Sequence, residues 1–362
     1  MSSSLIANPS KDVIVLPKPL SDAVPVIDIR GNASNSNTDL DLKKSISSAI
    51  QSKNVKFGDS MIRSIPTMVL YDDKGLQIFD KITYSPDYYL TMSEIDVFVH
   101  HASEMAKNHI TDNGIVVELG CGAMRKTKYI LDEISKSGKT VTYYAVDLSS
   151  KSLSDSLEPL KKLYPTISFV GLWGTYDDSL LWLAKNAQKD VLKVYLWLGS
   201  SIGNLTRSEA ADFLNKVSTS AMNPGDVFFC GIDRRNLASK IALAYDDTAG
   251  LTRDFIMNGL VHVNTIFGEE LLDTKKFAYK SIYNEIEGRH EAYYVVLEAH
   301  KIISKSNSLE VSLTAGEMIN VEYSYKYSES EVTELVRRAN MTHCGKWTDS
   351  TNLYDLHYFG KK

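Results

Sequence analysis

Between residues 114 and 233, short apolar runs alternate with amphipathic helical stretches, and this alternation constrains the fold more than any other feature of the chain. Val116-Val117-Glu118-Leu119 closes on Gly120-Cys121-Gly122, and a helical pattern follows over residues 124–135. A strand over 140–146 ends at Asp147 and leads to a helix over 149–163. The strand at 167–172 precedes a helix at 180–186, and the most apolar strand, 191–198, ends in Gly199-Ser200-Ser201-Ile202-Gly203-Asn204. A helix at 208–221 and a strand at 226–232 complete the series. Strands and helices at this spacing form βαβ units, which need a parallel sheet covered on both faces. The expected fold class is therefore α/β, with a doubly wound, mainly parallel, Rossmann-like sheet.

The flanking segments read differently. Residues 277–283, 289–303, 318–327 and 354–359 are rich in β-branched and aromatic residues and predict strands. Residues 329–339 and 235–265 predict helices. Upstream, 25–30 reads as a strand, and 40–51 as a helix with Leu42, Ile46 and Ile50 on one face. A weak capping signal at Ser93 opens a helix to about Asn108. At about 150 residues per domain, 362 residues suit one large domain or two. The expected division is an α+β substrate-binding domain from 23–65 and 235–325 beside a core of 66–234 and 326–362. Residues 1–22, rich in Ser, Pro and Lys, are expected to be a flexible lead-in.

Composition excludes several functions. Forty basic residues against 45 acidic give a net charge of −5, without the basic excess of a nucleic-acid or membrane-surface binder. The strongest apolar run, 194–202, is nine residues long, far short of the roughly 18 that span a bilayer. No signal peptide is expected. Cys121, Cys230 and Cys344 lie far apart, which suits neither a disulfide framework nor a metal cluster, so a reducing cytoplasm and no metal are expected.

In an open parallel sheet, ligands bind beyond the carboxyl ends of the strands. Gly120 and Gly122 let backbone approach a ligand, and Asp147 is placed to accept from ribose hydroxyls. A dinucleotide fingerprint needs a third glycine where Arg125 stands, which disfavours a nicotinamide. The pattern E-x-G-x-G with a later acid is similar to that of S-adenosylmethionine-dependent methyltransferases. Another nucleotide, or a turn serving only chain reversal, are the alternatives.

Ordered blocks carry a closer resemblance. MVLYDDKGLQIFDKIT (68–83), DYYLT (87–91), ELGCGAMRKT (118–127), YYAVDLS (143–149), GTYDD (174–178), LGSSIGN (198–204), AYDDTAGLT (244–252) and VEYSYKY (321–327) run through nearly the whole chain. Together they resemble the ergothioneine-pathway histidine Nα-methyltransferases, most of all the fungal branch and the related tryptophan-type N-methyltransferases. The resemblance implies a class I methyltransferase domain using S-adenosyl-L-methionine. It implies cofactor contacts at Gly120, Gly122, Lys126, Asp147, Gly174, Thr175 and Gly199, with Tyr71 and Tyr88 lining the transfer site. Asn204 and Tyr245 match the pair that holds the amino-acid head group, Glu322 and Ser324 match the pair that binds the ring, and Thr252 falls in a matched block. From the residues alone, Lys126 also reads as a solvated helix charge, Asn204 as a helix cap, and any one of twenty tyrosines as packing.

Fungal ergothioneine enzymes usually carry a second, iron-dependent domain, and no such segment follows here. The resemblance then implies a stand-alone Nα-methyltransferase of a free aromatic amino acid. L-Tryptophan is expected, because Ala292 falls where the bacterial histidine enzymes place a bulkier methionine. L-Histidine and 4-dimethylallyltryptophan are the alternatives, and a non-catalytic binder of the methyl donor is a remote one. The expected partner is a small-molecule amino acid, methylated once or repeatedly, with no nucleic acid or membrane, and the expected state is a monomer.

Overall fold

The computed structural model describes residues 23–31, 38–188, 190–304 and 309–362, so the expected lead-in lies outside the described residues. The chain begins with β1 (Val26–Asp28), α1 (Thr38–Gln51), β2 (Val55–Phe57), β3 (Ser60–Ser64), α2 (Asp73–Ile82) and α3 (Tyr89–His109). The alternating region follows as β4 (Gly114–Leu119), α4 (Thr127–Lys136), β5 (Val141–Asp147), α5 (Ser150–Leu163), β6 (Ile167–Trp173), α6 (Tyr176–Asn186), β7 (Lys193–Trp197), α7 (Arg207–Ser220) and β8 (Val227–Asp233). Then come α8 (Ala238–Tyr245), α9 (Leu251–Phe267), β9 (Phe277–Asn284), β10 (Arg289–Val296), β11 (His300–Ser304), β12 (Leu309–Leu313) and β13 (Met318–Tyr325). The chain closes with α10 (Glu329–Arg338), β14 (Met341–Thr348) and β15 (Tyr354–Lys361).

Eight strands form one sheet in the order β1-β6-β5-β4-β7-β8-β15-β14. The first six are parallel, and β15 and β14 return antiparallel at the edge beside β8. Strands β4 and β7 are buried throughout, which explains their near-continuous apolar sequence. Helices cover both faces through stripes such as Ile130, Leu131 and Ile134 of α4, and Leu153, Leu157 and Leu160 of α5. The strand order reverses between β4 and β7, so a crevice opens at their carboxyl ends.

A second sheet, β2-β3-β13-β10-β9, carries the smaller body. Its core joins Ile46 and Ile50 of α1, Ile78 and Ile82 of α2, Ile256 and Leu260 of α9, and Ile319 and Val321 of β13. Strands β11 and β12 form a separate antiparallel pair.

Several elements depart from expectation. β1 lies in the large sheet, pairing Val26 with Gly171, although the segment 23–65 was assigned to the smaller body. Conversely, Val69, Leu70 and α2 join the smaller body's core with α9, because their apolar faces are buried there. α2 is hidden in sequence by Asp72-Asp73-Lys74-Gly75, which reads as a turn. Asp72 instead caps the helix by accepting from the Gly75 amide, and a Cβ at Gly75 would fall 1.8 Å from the Leu70 carbonyl oxygen. α3 begins at Tyr89 rather than Ser93, since Tyr89 and Leu90 are themselves buried. The expected strand over 289–303 breaks at residues 297–299 into β10 and β11.

At the far end of the large sheet, Lys193 and Asp226 form a buried ion pair at 3.1 Å. Breaking such a pair leaves an uncompensated buried charge. Lys193→Met should therefore lower unfolding free energy by about 3 kcal/mol in a denaturant titration. Lys193 lies away from the carboxyl ends of the strands, so affinity for ligands bound there should stay at the parent value.

Candidate active site

The crevice is built from the carboxyl ends of β4 to β8. Gly120 and Gly122 adopt φ values of +72° and +50°. At Gly120 the positive φ strains any side chain, and a Cβ would lie 2.6 Å from the Tyr176 hydroxyl oxygen, so Tyr176 would have to shift. Asp147 ends β5 and accepts from the amides of Ser149 at 3.1 Å and Gly122 at 3.3 Å. Burial raises its pKa, and those amide bonds oppose the shift. Beneath the turn, the buried Glu118 accepts from Thr127 and Tyr143, and burial pushes its pKa up to about 7. A cleft of about 340 Å³ opens beside Asp147, bounded by Tyr71, Asp72, Leu76, Leu148, Ser149 and Trp173.

Gly199 and Lys126 are joined by a residue the sequence did not single out. The fully buried carboxylate of Glu94, on α3, accepts from the Gly199 amide at 2.9 Å and from the Tyr354 hydroxyl at 2.7 Å. Lys126 Nζ stands 2.5 Å from its other oxygen. The sequence offers no local signal for it, since Asp96, two residues on in the same helix, is a charge that stays half-buried. Gly174 is crowded, with a Cβ there meeting Ile29 at 2.7 Å. The Thr175 hydroxyl is occupied in a capping box with Asp178 at the start of α6.

The smaller sheet faces this crevice. Asn204 ends a 3-10 turn, Ser201–Asn204, just past β7, and its amide donates to the Tyr71 hydroxyl at 3.1 Å. Tyr71 also feels the charge of Glu322 on β13, which helps to raise the phenol's pKa. Burial pushes the Glu322 carboxyl up to about 7, with the Lys326 charge opposing. Ala292 of β10 lies directly across from Glu322, and His290 directly across from Ser324. Cross-strand partners share a face, so these four side chains form one platform. The register slips by one residue between Ala292 and Tyr293, a local irregularity beside the platform.

Tyr245, at the end of α8, stacks on His290 at 4.1 Å and 11°, and its hydroxyl is 2.6 Å from Ser324 Oγ. The buried Lys326 donates to the Tyr245 hydroxyl at 2.7 Å and pairs with Asp233 at 2.5 Å. The Tyr88 ring packs edge-on to Tyr245 at 6.0 Å. Burial raises the pKa of Tyr71, Tyr88 and Tyr245 well above the ordinary phenol value. These phenols are thus neutral donors or acceptors at physiological pH. Thr252, at the start of α9, is buried, and its amide donates to Asp247 in the turn between α8 and α9. His290, Asp233 and Lys326 were not expected from sequence, although Lys326 sits two residues beyond Ser324.

The family described as "Histidine-specific methyltransferase, SAM-dependent" matches residues 42–361. The chain belongs to that family. "Ergothioneine biosynthesis protein 1" of Neurospora crassa is 36% identical over 93% of this chain, which spans only 36% of that protein's length. "N-methyltransferase dtpB" of Aspergillus flavus is 30% identical, covering 80% of this chain and 82% of its own. "4-dimethylallyltryptophan N-methyltransferase easF" of Arthroderma benhamiae is 30% identical, covering 79% and 86% respectively. The family is one of S-adenosylmethionine-dependent methyltransferases, and the doubly wound, mainly parallel sheet of this chain provides a crevice for such a donor.

The crevice fits that methyl donor. The donor's ribose needs a hydrogen-bond acceptor, a role that the Asp147 carboxylate suits, and its close approach would use the bare backbone of Gly120 and Gly122. In this methyltransferase, Gly120→Ala should weaken S-adenosylhomocysteine binding by about tenfold or more, from φ strain and the clash with Tyr176. Isothermal calorimetry measures it, and unchanged affinity would place the donor elsewhere.

Proposed function

We propose that this enzyme methylates the α-amine of free L-tryptophan. One observation carries the choice of ring: Ala292, fully buried, lies directly across from Glu322 on the platform. The small side chain leaves room over the sheet for a bicyclic ring, whose N–H donates to the Glu322 carboxylate. A buried carboxylate needs such a donor. In this reading, Asn204 and Tyr245 hold the carboxylate and amine of the substrate, and Tyr71 and Tyr88 wall the transfer site. Asp147 and the two turn glycines hold the methyl donor, with Glu94 fixing Lys126 and Gly199 beside it.

S-Adenosylmethionine, when bound, supplies an electrophilic methyl group on a sulfonium. The protein's own work is positional. It holds an unprotonated amine in line with that methyl and excludes water, which removes orientational entropy from a two-molecule reaction. The tyrosine hydroxyls, held neutral by burial, contribute dipoles and ring faces beside the developing charge.

L-Histidine is the competing substrate, because an imidazole N–H also suits Glu322. Steady-state kinetics separates them. L-Tryptophan should have the higher kcat/KM, and a higher value for histidine would overturn the choice. Ala292→Met should lower kcat/KM for tryptophan by about tenfold relative to histidine, the scale of overfilling a packed pocket. An unchanged ratio would mean the ring lies elsewhere.

Glu322 also predicts a pH dependence. Its pKa is raised to about 7, so it is an acceptor above that pH and a neutral acid below it. Tryptophan binding to the S-adenosylhomocysteine-loaded protein should tighten as pH rises through about 7. Glu322→Gln should flatten that profile.

A further inference from the structure

Lys326 places an ammonium on the platform, and its three protons are all committed. The side chain is fully buried. It contacts Asp233 Oδ2 at 2.5 Å, Tyr245 Oη at 2.7 Å and Ser324 Oγ at 3.1 Å. An ammonium has three donors and no acceptor, so both hydroxyls accept from it. Tyr245 and Ser324 are also 2.6 Å from each other, so one donates to the other. Two hydroxyl protons are present and one is used within the pair. The remaining proton must point away from Lys326. Whichever hydroxyl carries it, the pair presents one donor outward.

The network behind Lys326 holds it in that orientation. Asp233 ends β8 and accepts from the Tyr89 hydroxyl at 2.8 Å, and Tyr89 accepts from the Asn236 amide at 2.9 Å. The Asp233 amide in turn donates to Ser200 Oγ at 3.0 Å, in the turn that precedes Asn204. Tyr245 is held flat by stacking on His290, whose Nε2 pairs with Ser281 Oγ at 2.8 Å. The ammonium therefore sits at the junction of both sheets, with no freedom to turn toward a ligand itself.

We propose that Lys326 is a positioning residue that polarises the Tyr245–Ser324 pair into a hydrogen-bond donor, and that this donor makes an α-carboxylate a requirement of the substrate. The assignment rests on the reading of this cleft as an amino-acid site. It explains why a charge is buried behind neutral hydroxyls. A hydroxyl free to rotate would accept from an amine as readily as it donates to a carboxylate, whereas a hydroxyl pair fed by an ammonium selects an acceptor. A decarboxylated amine has no acceptor to offer and leaves the outward proton unpaired.

Calorimetry on the full chain saturated with S-adenosylhomocysteine tests this, using L-tryptophan against tryptamine and L-histidine against histamine. The parent protein should bind the amino acid at least about tenfold more tightly than its amine, the scale of one charge-assisted hydrogen bond. In Lys326→Met that preference should fall to about twofold, with amine and S-adenosylhomocysteine affinities near their parent values. A purely structural lysine would weaken acid and amine together. If Lys326→Met fails to bind S-adenosylhomocysteine, the double variant Lys326→Met, Asp233→Asn removes the stranded buried charge and is read in the same way. Preference retained in a folded variant, or absent in the parent, overturns the assignment. If only the histidine pair binds, the choice of tryptophan fails while the histidine-to-histamine ratio still judges Lys326. A cleft that binds neither amino acid overturns both.

Discussion

A fully buried carboxylate at the switch point of the large sheet organises the rest of the site. Glu94 enters from α3 and gathers an amide from β7's loop, a hydroxyl from β15 and the ammonium of Lys126. A charge removed from water at this depth costs several kcal/mol unless each lone pair finds a donor. The three donors come from segments that sequence distance alone would never join. Satisfying Glu94 therefore fixes the glycine loop after β7, the entry to α4 and the antiparallel return strand relative to one another. The crevice between β4 and β7 follows from that constraint.

A second buried pair does the same for the opposite wall. Asp233 and Lys326 link the end of β8 to the strand that carries Glu322 and Ser324. Asn204, just past β7, donates to Tyr71, whose phenol lies within the field of the Glu322 carboxylate. The two sheets are thus joined by polar side chains at the place where a ligand would sit. Such an arrangement suits a reaction between two bound molecules. In the proposed reading, one partner lies on the glycine turn, the other on the platform, and the polar seam sets the distance between them.

The periodic part of the fold was legible in the sequence. β4 to β8 announce themselves because burial on both faces demands unbroken apolar runs, and Gly120, Gly122 and Asp147 stand where those runs end. The edge and the smaller sheet were less legible. β2, β3 and β12 are short and of mixed polarity, and β14 presents exposed Thr342, His343 and Cys344. α2 was disguised by a cap and a glycine that ordinarily mark a turn. The residues of the polar seam were the least visible. Nothing local distinguishes Glu94, Asp233 or Lys326 from a solvated charge, since their partners lie far away, up to 260 residues along the chain. Ser324 and Tyr245 were found through block resemblance, and the structure brings them within hydrogen-bonding distance.

The most direct test of the account is a crystal structure of the protein with S-adenosylhomocysteine and L-tryptophan bound together. The account places the ribose on Asp147, the amino acid between Asn204 and Tyr245, and the indole over Ala292 with its N–H toward Glu322. An amino acid found outside the seam between the two sheets, or a ring turned away from Ala292 and Glu322, would contradict it.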